Sequence, residues 1–430
     1  MKPKVNSIFV LILLFLSVPS YSQEFEYSEV LELPDMSLVE EILTGLDVLE
    51  ELKFFPLYDL SVAVLTHEPA VNRQGIHLLD LLQQYSDSIK VKVVFTPEHG
   101  FFTMENVNLL SESKMPYEGM DFVNLWGDRF RPDRGHLRGI DLILMDVQDT
   151  GLRFTTTMTT VSKVMEAAAM YDIPVMVLDR PNPLKGSVVE GPIVRPEYQS
   201  FVGYHMVPLR HGLTLGEYTL MVNEMEWLRQ GLTVELMVIP MANWKREMWF
   251  DETNLSWIDP IPGISNIETL LLYEGMSLLE GSNLSFGTGT DYVYEQVGAP
   301  WILNTAVYES IRKYDLIGAS FSPVSFVPDT NRVFTKEIRF KGFLCSGLHI
   351  QVIDRNEFNP LLTGVTLMSI ISRQYPREFA WIGDNYVDKL YGHDYLRIFL
   401  AQERKPEKIE SSWGRDVNQF YEFRKKFLLY

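Results

Sequence analysis

Short apolar runs alternate with polar clusters and stretches of helical spacing, and this alternation restricts the chain to a layered α/β fold. The runs are Leu60–Leu65, Val91–Thr96, Ile140–Met145 and Pro174–Leu178, all rich in β-branched or large aliphatic residues. Each reads as a buried strand. Helical spacing follows at Gly75–Tyr85 and Met158–Tyr171, and an amphipathic helix precedes the first run at Leu38–Leu52. Strands separated by helices pair in parallel, so their carboxyl ends share one edge of the sheet. In such a sheet, ligands bind in the crevice beyond that edge.

Three strands end in chemistry-bearing clusters: Thr96-Pro-Glu-His-Gly100, Asp146-Val-Gln-Asp149 and Asp179-Arg-Pro-Asn-Pro183. Their convergence makes Glu98 a candidate functional residue. Other readings stay open beside it. Pro97 and Gly100 also terminate a strand, and Asp146 also suits a turn or helix cap. Arg180 and Arg153 suit an ion pair as well as a ligand. Arg210-His211-Gly212 precedes a helix at Leu215–Leu228, where a carboxylate would be attracted by the helix N-terminus.

The chain of 430 residues exceeds one ordinary core, so two domains are expected. We divide it into a signal peptide over 1–22, a Rossmann-like domain over 23–295 and a smaller α/β domain over 296–430. The first domain adds a strand at Thr233–Ile239, a rigid turn at Asp259–Gly263 and a glycine- and hydroxyl-rich loop at Glu280–Asp291. The second is expected to hold helices at Thr305–Tyr314, Thr363–Gln374 and Val417–Leu428, with strands at Val333–Phe340 and Leu348–Val352. Phe101–Gly139 reads as a long irregular loop, a length that is usually functional.

Met1-Lys-Pro-Lys4, the apolar stretch Ile8–Val18 and the small residues before Gln23 form an export signal, which implies a periplasmic or secreted protein without later membrane insertion. Its removal takes away two lysines and makes the formal charge still more negative than −19. That field repels nucleic acid. The lone Cys345 precludes an intrachain disulfide and a four-cysteine zinc site. His67, His99, Asp146 and Asp179 lack the spacing of a metal-binding motif, and no nucleotide-binding glycine loop occurs, so neither metal nor cofactor is expected.

Several longer matches bear on function: Phe95-Thr-Pro-Glu-His-Gly100, Asp146-Val-Gln-Asp-Thr-Gly-Leu-Arg-Phe154, Val177-Leu-Asp-Arg-Pro-Asn-Pro183, Pro208-Leu-Arg-His-Gly212, Gly298-Ala-Pro-Trp301 and Asp388-Lys-Leu-Tyr-Gly392. Through them the chain resembles the exo-acting β-N-acetylmuramidases of bacterial cell-wall recycling, the NamZ type, over most of its length. The resemblance implies a Rossmann-like N-terminal domain, a smaller α/β C-terminal domain and an active-site cleft between them. It implies release of N-acetylmuramic acid from the non-reducing ends of peptidoglycan fragments, with Glu98 as the catalytic glutamate.

Glycosidic cleavage needs a proton for the leaving oxygen and support for a cationic transition state. Glu98 is the expected acid, and Asp146, Asp149 or Asp179 the second group, unless the substrate's own acetamido group serves. Substrate contacts are expected from His67, His99, Arg153, Asp179, Arg180, Asn182, Arg210, His211, Asn283 and Asp291. The chain departs from the family at Thr155 and Thr157, where tyrosines are usual, and at Thr288, where an arginine is usual. Trp126 stands where tyrosine is usual. An arginine offers carboxylate a two-pronged donor, so its loss leaves open a substrate-shifted or non-catalytic glycan-binding paralogue.

Overall fold

The computed structural model describes residues 41–101, 117, 119–127, 129–329 and 338–430. The signal segment lies outside the described residues, as does most of the segment 101–116. Among the described residues no helix is long and apolar enough to cross a membrane.

Six parallel strands form the first sheet: β1 (Ser61–Thr66), β2 (Lys90–Thr96), β3 (Asp121–Asn124), β4 (Leu142–Asp146), β5 (Val175–Leu178) and β6 (Leu236–Ile239). Their order is β3-β2-β1-β4-β5-β6, so the chain moves outward on one side of β1 and resumes on the other. The order reverses between β1 and β4, which is the switch point where this architecture opens a crevice. Thr66 pairs with Asp146 there, and Thr96 pairs with Asn124 on the flank.

Side-chain alternation sorts the strands onto two cores. Val62, Val64, Val94, Leu144 and Met176 face α1 (Gly45–Glu51) and α2 (Leu78–Gln84). Ala63, Leu65, Val93, Phe95, Ile143 and Val175 face α3 (Thr157–Met170) and α4 (Leu215–Glu224). Capping boxes start α1 at Thr44 with Asp47 and α4 at Thr214 with Glu217.

The rest of the chain builds a third core. It comprises α5 (Ile267–Met276), β7 (Gln296–Ala299), α6 (Asn304–Ile311), β8 (Ala319–Phe326), β9 (Cys345–Val352), α7 (Pro360–Gln374), α8 (Tyr386–Tyr391), α9 (Tyr395–Ala401) and α10 (Pro406–Glu410). The strands form an antiparallel sheet in the order β7-β9-β8. α5 and α7 cross where Gly275 meets Pro360 and Gly364, and a side chain at either glycine would strike backbone. The last helix, α11 (Gly414–Arg424), returns to the parallel sheet. Its Phe420 joins that sheet's core, and Tyr430 Oη donates to Asp179 at 2.8 Å.

The α/β class and the mainly parallel first sheet agree with the sequence reading. Three local expectations are corrected. The supposed loop Phe101–Gly139 contains β3, whose four residues are too few to display a period. β8 stands where no strand is expected, since this exposed edge strand carries Pro323 and serines in place of apolar alternation. The strand expected at Val333–Phe340 falls mostly outside the described residues, and 338–340 are not strand.

Candidate active site

The carboxyl ends of β1, β2, β4 and β5 assemble one polar edge. At its outer flank Glu98 lies two residues beyond β2 and is half-buried. Its Oε2 accepts a hydrogen bond of 2.6 Å from Thr156 Oγ1, at the N-terminus of α3. A helix N-terminus favours negative charge, so this setting suits a carboxyl that cycles through its ionised form. His99 follows, half-buried beside it.

At the switch point His67 is buried, and its Nε2 accepts the Gln148 backbone N–H at 2.8 Å. The proton of the neutral ring therefore resides on Nδ1. Burial, followed by the nearby Arg180 charge, pushes its pKa down to about 3. His67 is a neutral clasp across the gap between β1 and β4. His77, whose Nδ1 caps α2, donates from Nε2 to the His67 carbonyl at 3.0 Å.

The central carboxylates are held from within. Asp146 is fully buried, and Arg180 grips both of its oxygens, at 2.5 Å from Nε and 2.9 Å from Nη2. Arg180 also donates to the Val71 carbonyl. Asp179 accepts four hydrogen bonds, from Arg180 N, Gly216 N, Thr214 Oγ1 and Tyr430 Oη. Burial, then the charge of Glu217, raises its pKa to about 6.

Asp149 differs from both. Its Oδ2 accepts Gly151 N at 2.7 Å, while its buried Oδ1 has no hydrogen-bond partner among the described residues. His211 Nδ1 accepts Leu213 N, which puts the ring proton on Nε2, 3.5 Å from Asp149 Oδ2. A narrow crevice at the switch point is lined by Pro69, Val71, Gln148, Arg180, Phe250, Leu255 and Ile258.

Several expected site residues hold loops together. Arg153 is buried and donates to the carbonyls of Pro192, Val207 and Leu390; burial lowers its pKa to about 9. Asn182 accepts from Leu184 N and donates to the Leu213 carbonyl. Arg210 donates to the Leu184 carbonyl and lies 3.5 Å from buried Glu274 and 3.7 Å from Glu190. Asn283 bonds Glu378 and Ala380, and Asp291 is exposed on the glycine-rich loop.

Thr155 is buried between Thr150 and the Leu152 carbonyl. Thr157 and Thr288 are buried as well. Thr156 and Gln148 enter the site without having been singled out in the sequence. Their signals are a threonine run before an apolar helix, which marks a cap, and the residue between two strand-end aspartates. Among the described residues no three His, Cys, Asp or Glu side chains cluster in a way that would hold a metal ion.

Models of the exo-beta-N-acetylmuramidase NamZ N-terminal and C-terminal regions match residues 62–268 and 271–430. The peptidoglycan beta-N-acetylmuramidase NamZ of Bacillus subtilis (strain 168) is 34% identical over 394 residues, which are 91% of this chain and 92% of that protein. Two crystal structures of DUF1343 family proteins from Bacteroides fragilis NCTC 9343 superpose with TM-scores of 0.81 and 0.71. Each is 27% identical, and each alignment covers 91% of this chain and 99% of the other.

Proposed function

The chain belongs to the exo-beta-N-acetylmuramidase NamZ family, and on that premise we propose that it is an exo-acting glycosidase releasing N-acetylmuramic acid from the non-reducing ends of peptidoglycan fragments. The observation that carries the reading is Glu98 at the carboxyl edge of a parallel sheet, hydrogen-bonded to the threonine that opens α3. Thr156 donates to Oε2 and fixes the carboxyl's rotation, and Glu98 delivers the proton to the departing sugar oxygen. The bond from the muramic anomeric carbon to that oxygen breaks, and water supplies the new hydroxyl and replaces the proton.

Asp149 supports the second role better than its neighbours. Its Oδ1 accepts no hydrogen bond from the described residues, whereas both oxygens of Asp146 are gripped by Arg180, and both of Asp179 accept hydrogen bonds. His211 beside Asp149 would hold its orientation. The export-type segment Met1–Ser22 supports action outside the cytoplasm.

Purified protein is expected to release free N-acetylmuramic acid from a muramyl-glucosamine disaccharide. Glu98→Gln is expected to lower turnover by about 10²–10⁴-fold while sugar binding persists. Sugar binding without hydrolysis above that variant's level would make the protein a non-catalytic binder.

A further inference from the structure

The loop that carries His211 is tied to α5 through buried charges that the proposed reaction does not use. Arg210, one residue before His211, exchanges backbone hydrogen bonds with Glu190 in both directions, each 2.9 Å long. Arg153 N donates to the neighbouring Leu209 carbonyl at 2.8 Å, and His211 N donates to the Gly151 carbonyl at 3.4 Å. Gly151 N in turn donates to Asp149 Oδ2. The backbone around Arg210 therefore sets where His211 and Asp149 stand relative to each other.

The Arg210 side chain reaches the other core. Its Nη1 lies 3.5 Å from Oε2 of Glu274, on α5, and 3.7 Å from Oε2 of Glu190. Glu274 has no exposed side-chain surface, and neither of its oxygens accepts a hydrogen bond from the described residues. Glu190 lies nearer the surface. The Trp249 ring centroid is 5.7 Å from the Arg210 guanidinium, and Lys185 and Arg355 lie over the same ring. Glu410 on α10, which accepts from Asn359 Nδ2, adds negative charge toward Glu190.

Two carboxyls thus share one arginine. With both ionised, the cluster would hold an unmatched negative charge inside the protein, where it is most costly. Keeping one proton leaves one carboxylate against one guanidinium. Glu274 is the group that keeps it. Burial, followed by the charge of Glu190, raises its pKa well above the ordinary carboxyl range, against the opposing pull of Arg210.

We propose that Glu190, Glu274 and Arg210 form a proton-holding latch, which lets go of α5 when its proton leaves at rising pH and so displaces His211 from Asp149. Glu274 is a positioning residue in this scheme, acting through Arg210. The consequence for turnover rests on the glycosidase reading, while the latch itself is testable without substrate. Its sign follows from linkage. The unfolded chain gives up this proton near the ordinary value of 4.5, and the folded protein holds it longer. The latch's contribution is therefore full below about pH 4.5 and is lost as pH rises through the higher folded value.

The test compares full-length native protein with Glu274→Gln by urea unfolding from pH 5 to pH 9. Glutamine keeps the shape of the side chain and carries no titrating proton. The unfolding constant of the native protein should rise relative to the variant's, by up to about tenfold per pH unit. Glu190→Gln should lessen the same rise, because it leaves Glu274 alone with Arg210, and it remains informative if Glu274→Gln does not fold. Hydrogen exchange at the Arg210 and His211 backbone N–H groups should match in native protein and Glu274→Gln at pH 5. At pH 9 it should be several-fold faster in the native protein. The alkaline limb of turnover should lie at higher pH in Glu274→Gln than in the native protein. Parallel stability curves, or equal exchange at pH 9, overturn the latch. Release of muramic acid together with parallel curves would leave the glycosidase standing and remove the latch. Diverging curves and exchange, without any hydrolysis, would do the reverse.

Discussion

The centre and the outer flank of the parallel sheet carry similar residues to opposite ends. At the centre, beyond β4 and β5, Asp146, Asp179 and Arg180 are buried and satisfy one another or nearby backbone. At the flank, beyond β2 and β3, Glu98 is half-buried and its Oε2 accepts from Thr156, and Trp126 faces outward. Depth accounts for the difference. A charge taken wholly out of water must be matched inside the protein, because the isolated ion is too costly to bury. A carboxyl near the rim keeps access to solvent and substrate. The strand ends therefore divide into residues that hold the crevice together and residues that can act in it.

Substitutions on the two sides should fail differently, and the largest expected effect is at the flank. Glu98→Gln should cost about 3–5 kcal/mol in activation barrier while leaving thermal unfolding nearly unchanged. An unfolding midpoint that drops sharply would make Glu98 a structural residue and erase the contrast. At the centre, Arg180→Met leaves Asp146 charged, buried and unmatched, and is expected to cost about 3–5 kcal/mol of stability by urea unfolding. Near-native stability of that variant would put Asp146 on the working side of the comparison.

His67 gives a pH test of the central clasp. Its folded pKa of about 3 lies below the ordinary histidine value. Its contribution is therefore fully present above about pH 6.5 and is lost as pH falls toward 3. In that window it should remove up to about 1.4 kcal/mol per pH unit. His67→Gln keeps an acceptor for Gln148 N without a titrating ring, so its stability should fall less steeply between pH 6.5 and 4.5. Parallel acid limbs for the two proteins would show that the clasp does not titrate. The smallest effect is expected at Tyr430→Phe, which removes one hydrogen bond to Asp179 and one from Met241 N. About 1–2 kcal/mol of stability should be lost, with turnover unaffected if Asp179 is indeed structural.

Much of the fold was legible because its strands bury both faces. Continuous apolar runs such as Ile140–Met145 leave few other readings. α5 was not anticipated because residues around its whole circumference are buried, so it shows no polar stripe to set a period. The strand-end motifs gather on one edge of the sheet, yet their residue types said nothing of depth. Arg153 and Arg210 looked like ligands for an anion. Arg153 instead binds three backbone carbonyls, and Arg210 faces two buried glutamates.

The sequence by itself determined the alternation of strands and helices, and hence a parallel sheet with its polar clusters gathered on one edge. It also set Glu98 just beyond a strand, because Pro97 and Gly100 stop the ladder there. Only the tertiary structure decided which clusters are sealed and which stay open, because burial depends on what packs from far along the chain. Tyr430 reaches back to Asp179, and the 250–258 segment lines the crevice with Arg180. Those contacts join residues tens to hundreds of positions apart, and no local pattern encodes them.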